Sequence, residues 1–211
     1  MNRIFIFILS CAFSLFSHPL QAQDIRSNTK GFSINLNGVY SSWNSESNFL
    51  GELDDIEPTG LGIGLKLAYG FNQNIEVFLA YSGTSFSREF EWDTYVIGNL
   101  EIGGRYNFGA TLRRIRPFVE AALSIHSLSI DPITFDGGFT IFSLESSGVG
   151  FTGGGGLHFF LTQSLSLNAN GKIAFGNFSS TSLSGTEVDN LTETLDFTIT
   201  SIHIGLSYFF Q

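Results

Sequence analysis

The chain has 211 residues, enough for one ordinary domain, and sets nineteen Asp and Glu against ten Lys and Arg for a formal charge of −9. An acidic balance of that size excludes proteins that grip nucleic acid through a basic surface. Charged residues nevertheless make up only 14% of the chain and aromatics 15%, an apolar excess that an ordinary water-soluble acidic protein does not carry.

In chain order, Met1-Asn2-Arg3 supplies a short positive start, IFIFILSCAFSLF a hydrophobic run and SHPLQAQ a polar stretch with small residues. This is the layout of a secretory signal peptide, with cleavage expected after Ala22, so residues 1–22 are set aside. Residues 23–30 form a short periplasmic lead-in, and the domain is expected at 31–211. Cys11, the only cysteine, falls inside the hydrophobic run, and the mature chain is expected to hold no disulfide. Lipidation at Cys11 is the alternative, but the apolar stretch between Arg3 and that cysteine is short for it. Loss of Arg3 takes the charge to −10. Beyond the signal no apolar run reaches the roughly eighteen residues of a spanning helix.

The apolar residues lie instead at every second position. They run through Phe32, Ile34, Leu36, Gly38 and Tyr40; Leu61, Ile63, Leu65, Leu67, Tyr69 and Phe71; Ile75, Val77, Leu79 and Tyr81; and Leu100, Ile102, Gly104, Tyr106 and Phe108. The pattern continues through Val119, Ala121, Leu123 and Ile125; Val149, Phe151, Gly153, Gly155, Leu157 and Phe159; Leu165, Leu167, Ala169, Gly171, Ile173 and Phe175; and Ile202, Ile204, Leu206, Tyr208 and Phe210. A two-residue period predicts eight strands with unlike faces. The apolar faces carry no charge. The opposite faces carry Ser and Asn with three acids, Glu76, Glu101 and Glu120, balanced by three bases, Lys66, Arg105 and Lys172. Balanced charge suits an enclosed space, where an unpaired ion is costly.

Connections alternate. Those after strands two, four and six are short (72–74, 109–116 and 161–164), and those after strands one, three, five and seven are long (41–58, 83–93, 126–146 and 177–195). Short turns alternating with long loops around an even number of strands predict a closed antiparallel up-and-down transmembrane β-barrel, all-β and eight-stranded. Aromatics gather near both strand ends: Tyr69, Phe71, Tyr106, Phe108, Phe159, Tyr208 and Phe210 at the short turns, and Tyr40, Trp43, Tyr81, Trp92 and Tyr95 at the long loops. They are expected to form two girdles around a lipid-facing band.

The whole pattern over 31–211, and the last strand SIHIGLSYFFQ above all, resembles the small eight-stranded outer membrane β-barrel superfamily of Gram-negative bacteria, OmpA/OmpX-like. The resemblance implies export to the outer membrane, outer-membrane lipids and lipopolysaccharide as surroundings, and a C-terminal assembly signal at Tyr208 and Phe210 met by the outer-membrane assembly machinery. In this chain Gln211 follows the terminal aromatic, a departure from that signal. Some relatives are lipid A deacylases or acyltransferases with His and Ser in the barrel. Here His158 and His203 point into the lumen by parity and His126 is followed by Ser127 and Leu128, so no catalytic residue is assigned and no enzyme is expected.

An eight-stranded lumen is filled by side chains, so Lys66, Glu76, Glu101, Arg105, Glu120 and Lys172 are expected to form a plug, with His158 and His203 as further lumen polar groups. Arg105 and Glu120 flank the fourth-to-fifth turn at equal distance and should pair; Glu101, Lys66 and Lys172 should make a second cluster. Arg113, Arg114 and Arg116 are expected in a periplasmic turn near anionic head groups. Glu46, Glu52, Asp54, Asp55 and Glu57 in the first long loop lack the spacing of a defined calcium loop, and neither metal nor cofactor is expected. The stretch GVGFTGGGGLHFF has no Lys-Ser/Thr after its glycines and keeps the two-residue period, so it is a strand and not a phosphate loop. The expected role is a monomeric, structural or surface-interacting barrel whose long loops meet an extracellular partner. A narrow porin-like channel for small solutes is the alternative, and a lipid-modifying enzyme stands third.

Overall fold

A computed structural model describes residues 27–44, 58–86, 95–109, 111, 113–130, 134–135, 139–140, 144–183, 186–187 and 195–210. The strands in chain order are β1 (Gly31–Asn44), β2 (Thr59–Gly70), β3 (Ile75–Phe86), β4 (Tyr95–Asn107), β5 (Ile115–Ile130), β6 (Thr134–Phe135), β7 (Phe139–Thr140), β8 (Leu144–Phe160), β9 (Leu165–Leu183), β10 (Thr186–Glu187) and β11 (Leu195–Phe209). Eight long strands, β1 to β5, β8, β9 and β11, pair antiparallel with their chain neighbours. β1 then pairs back onto β11, Ile34 opposite Tyr208 and Tyr40 opposite Ile202. The sheet is thereby closed, and every long strand has two partners, the condition for placing backbone amides in hydrocarbon.

Burial alternates residue by residue along each strand, and the sense is inverted relative to a soluble barrel. Outward residues are apolar and bare, Ile63 being 73% exposed, while inward residues are largely Ser, Asn, His and charged groups. A continuous exposed apolar belt of this kind is a liability in water and a requirement in a bilayer.

Four strands run past the points where loops were expected to begin: β1 through Ser41 to Asn44, β3 through Gly83 to Phe86, β5 through His126 to Ile130, and β9 through Asn177 to Leu183. Pairing continues there while the apolar residues change sides. Trp43, Phe86, Leu128 and Phe178 face the axis, so the outward apolar signal stops before the strand does. β8 and β9 are tied by a register shift at Ser147/Gly148.

Candidate functional site

The lumen is filled in layers. At the short-turn end the lead-in crosses the mouth as a strap. Ser27 N donates to Thr111 O (2.7 Å) and Asn28 N to Gln163 O (3.3 Å), while Thr29 N donates to Gln73 Oε1 (3.0 Å). Three residues thus touch all three short turns. Arg116 secures them: its Nη1 donates to Thr29 Oγ1 at 2.9 Å and its Nη2 to the Gln73 carbonyl. Arg116 was expected on the turn facing the periplasm; it is instead the second residue of β5, fully buried. An even-numbered residue of β5 faces the axis, and that parity decides the matter. Arg113 is exposed and Arg114 half-buried.

Above the strap, Phe160 and Phe209 stack at 5.5 Å and His158 packs against Phe118, ring centroids 4.8 Å apart. Arg105 Nη1 lies 3.0 Å from His158 Nε2. A guanidinium only donates, so this nitrogen accepts and the Nδ1 proton is left for Ser166 Oγ at 3.1 Å.

The next layer is ionic. Arg105 and Glu120 are directly opposite in the β4–β5 register, and Arg105 donates through Nε (2.9 Å) and Nη2 (2.7 Å) to Glu120 Oε2. The same oxygen accepts from Lys66 Nζ at 2.8 Å, and Asn170 Nδ2 donates to Oε1 at 3.1 Å. Lys172 Nζ donates to Glu101 Oε2 at 2.6 Å and stands 3.4 Å from Glu120 Oε1. Glu76 accepts from Asn107 Nδ2 and lies 4.0 Å from Arg105 Nη1. Lys66 and Arg105 also lie over the rings of Phe78 and Phe118 at 4.1 and 4.0 Å. The six charges are therefore brought together as one network around Glu120. Of the second cluster expected at Glu101, Lys66 and Lys172, the Lys172–Glu101 pair forms, while Lys66 reaches Glu120.

Higher still, two Ser-Ile-His runs turn their Ser and His inward, His126 Nε2 on Ser124 Oγ at 2.9 Å and His203 Nε2 on Ser201 Oγ at 3.0 Å. Lumen cavities at this level measure about 20 and 10 Å³, the first about the room of one water molecule.

A lid of apolar side chains closes the long-loop end. Trp43 Nε1 donates to Tyr95 Oη at 2.9 Å, Tyr95 stacks on Phe86 at 5.0 Å, and Phe178 meets Phe197 at 4.7 Å. Trp43 and Tyr95 were expected in the outer girdle, and the structure corrects this: both are buried in the lid. They have odd numbers in strands whose odd residues face the axis, so parity overrides their nearness to a strand end. Tyr40 and Tyr81 do face outward, and Trp92 lies outside the described residues. At the other end Tyr69, Phe71, Tyr106, Phe108, Phe159, Tyr208 and Phe210 all face outward, with edge-on ring pairs Tyr69–Phe71, Tyr106–Phe108 and Tyr208–Phe210. Glu46, Glu52, Asp54, Asp55 and Glu57 lie outside the described residues, as do the signal segment and Gln211.

No protein-family model and no curated protein sequence matches the chain. Among solved structures it is similar to Neisserial surface protein A, at 15% identity and a TM-score of 0.62 over 86% of this chain and 98% of that one. It is also similar to Ail, the attachment invasion locus protein of Yersinia pestis (14%, 0.52, 85% and 99%). A third likeness is to the outer membrane protein OprG from Pseudomonas aeruginosa (13%, 0.51, 87% and 98%). At these identities the shared property is the fold, that of the small eight-stranded outer membrane barrels.

Proposed function

We propose that this chain is a non-enzymatic integral outer-membrane protein, a plugged barrel that anchors and displays its long loops. The observation that carries the reading is the filled lumen, in which strap, ion network and lid follow one another from mouth to mouth. A porin-like path needs connected water, which cavities of about 20 and 10 Å³ do not favour. The exposed apolar belt supports residence in lipid, and the likeness to outer membrane and surface proteins supports the outer membrane with lipopolysaccharide as its surroundings. Closure of the sheet within one chain supports a monomer. Outward-facing Tyr208 and Phe210 at the end of β11 suit contact with the assembly machinery. Among the described residues the Ser-His pairs are buried beneath the lid, which supports a role without catalysis. An extracellular protein partner would be met by the loops.

The test is conductance of purified, folded protein in a planar bilayer. Silence is expected from the native chain. Steady single-channel steps that change size in Arg105→Gln would overturn the plugged reading in favour of transport.

A further inference from the structure

The outer wall carries a feature that the plugged lumen leaves unused. Where β9, β11 and β1 leave the apolar belt, the outward positions change character within one step of the period. Ile202 gives way to Thr200 and Thr198, Tyr40 to Ser42 and Asn44, and Phe175 to Asn177. The register sets these groups side by side: Thr200 opposite Ser42, Thr198 between Asn44 and Phe175, and Asp196 opposite Asn177. Same-face partners on neighbouring strands stand about 5 Å apart, so hydroxyls, amides and a carboxylate form one small patch.

That patch lines a cavity of about 580 Å³, within the roughly 300–1,000 Å³ of small-ligand sites. Asn44 Oδ1, on its wall, is a buried acceptor without a donor among the described residues. Phe175, 56% exposed, offers an aromatic face. The charge among the described lining residues is the Asp196 carboxylate, which disfavours phosphate or sulfate by like-charge repulsion. Dense hydroxyl and amide groups beside a flat ring match a polyol: sugar hydroxyls exchange hydrogen bonds with Asn, Asp and Thr, while the C–H face of the pyranose lies on the phenyl group. We propose that this is a saccharide site, selective for a neutral or amino-bearing sugar over a sulfated or phosphorylated one.

Only the source of the sugar rests on reading the long-loop end as the outer-leaflet end. There the two sources are a soluble extracellular glycan and the sugar of an outer-leaflet glycolipid. The test is saturation-transfer NMR of the detergent-solubilised full chain with lactose, chitobiose and a sulfated heparin disaccharide, alongside native mass spectrometry with lipopolysaccharide. Transfer to a neutral disaccharide points to a soluble glycan; adducts with lipopolysaccharide alone point to the glycolipid. In either case Phe175→Ala and Thr198→Val weaken binding at least tenfold. Thr198→Val keeps the shape of a strand-favouring side chain, and unboiled gel migration checks its fold. Absence of binding in every arm, stronger binding of the sulfated sugar, or binding unchanged in both folded variants overturns the proposal. Soluble-sugar binding in detergent is independent of conductance and of membrane orientation, so this site and the plugged lumen stand or fall separately.

Discussion

Glu120 takes four donors from two cations and one amide, has Lys172 Nζ a further 3.4 Å from Oε1, and is nearly excluded from solvent. Deleting its charge leaves Arg105, Lys66 and Lys172 with two carboxylates to share. Breaking a buried pair on one side costs about 3–5 kcal/mol, so Glu120→Gln is expected to lower unfolding stability in lipid vesicles by that order, measured by urea titration. A loss under about 1 kcal/mol would mean the network is solvated. Two adjacent glycines make a sharper comparison. A side chain on Gly154 would meet the Gly171 carbonyl at 2.6 Å and the stem of Lys172 at 3.0 Å, whereas one on Gly153 meets nothing within 4 Å. Gly154→Val is therefore expected to destabilise by about 1–3 kcal/mol through overpacking, and Gly153→Val to be neutral or stabilising by a few tenths as β propensity rises. The same titration decides, and equal effects would refute the difference in packing. Alternation alone identified the lumen charges and the Arg105–Glu120 pair, because parity and distance from a turn fix both face and register. Which cation reaches which carboxylate across the lumen depends on strand stagger, which one strand's pattern does not contain.

At the scale of elements, the strap and the lid escaped the sequence for different reasons. Three residues have no period, and the partners of Ser27 and Thr29 lie 84 and 44 positions away. The lid residues do obey parity, yet apolar inward positions next to long loops look like loop content or interface aromatics. Trp43 gives a direct check. In Trp92→Phe, where Trp43 is the sole tryptophan, brominated lipids are expected to leave its fluorescence largely unquenched; strong quenching would return Trp43 to the lipid face. The strap is tested by Thr29→Val, which removes the acceptor for Arg116 Nη1 and a donor to the Gln73 carbonyl at 2.7 Å. Leaving a buried guanidinium proton unpaired costs about 1–3 kcal/mol. The urea midpoint should fall accordingly, with conductance still silent because the ion network lies above the strap.

For the molecule as a whole, the strands are unequal in a consistent way. All start together at the short turns, but β2 and β3 have 12 residues while β8 has 17 and β9 has 19. At about 3.3 Å per residue and a tilt near 40°, the excess carries the described β8 and β9 strands roughly 13–18 Å higher than β2 and β3. Eightfold closure was legible because every strand repeats the same two-residue signal; this inequality was not, because the signal is written by lipid and ends where lipid ends. A barrel with a level rim would present the same profile to neighbours from every direction. Here the bearing matters. Among the described strands, a molecule sliding along the bilayer meets low strand ends at β2 and β3 and tall ones at β9, with the hydroxyl patch of β9, β11 and β1 at their foot. The protein thus has a sheltered side, and rotation about the membrane normal changes what it shows to its surroundings.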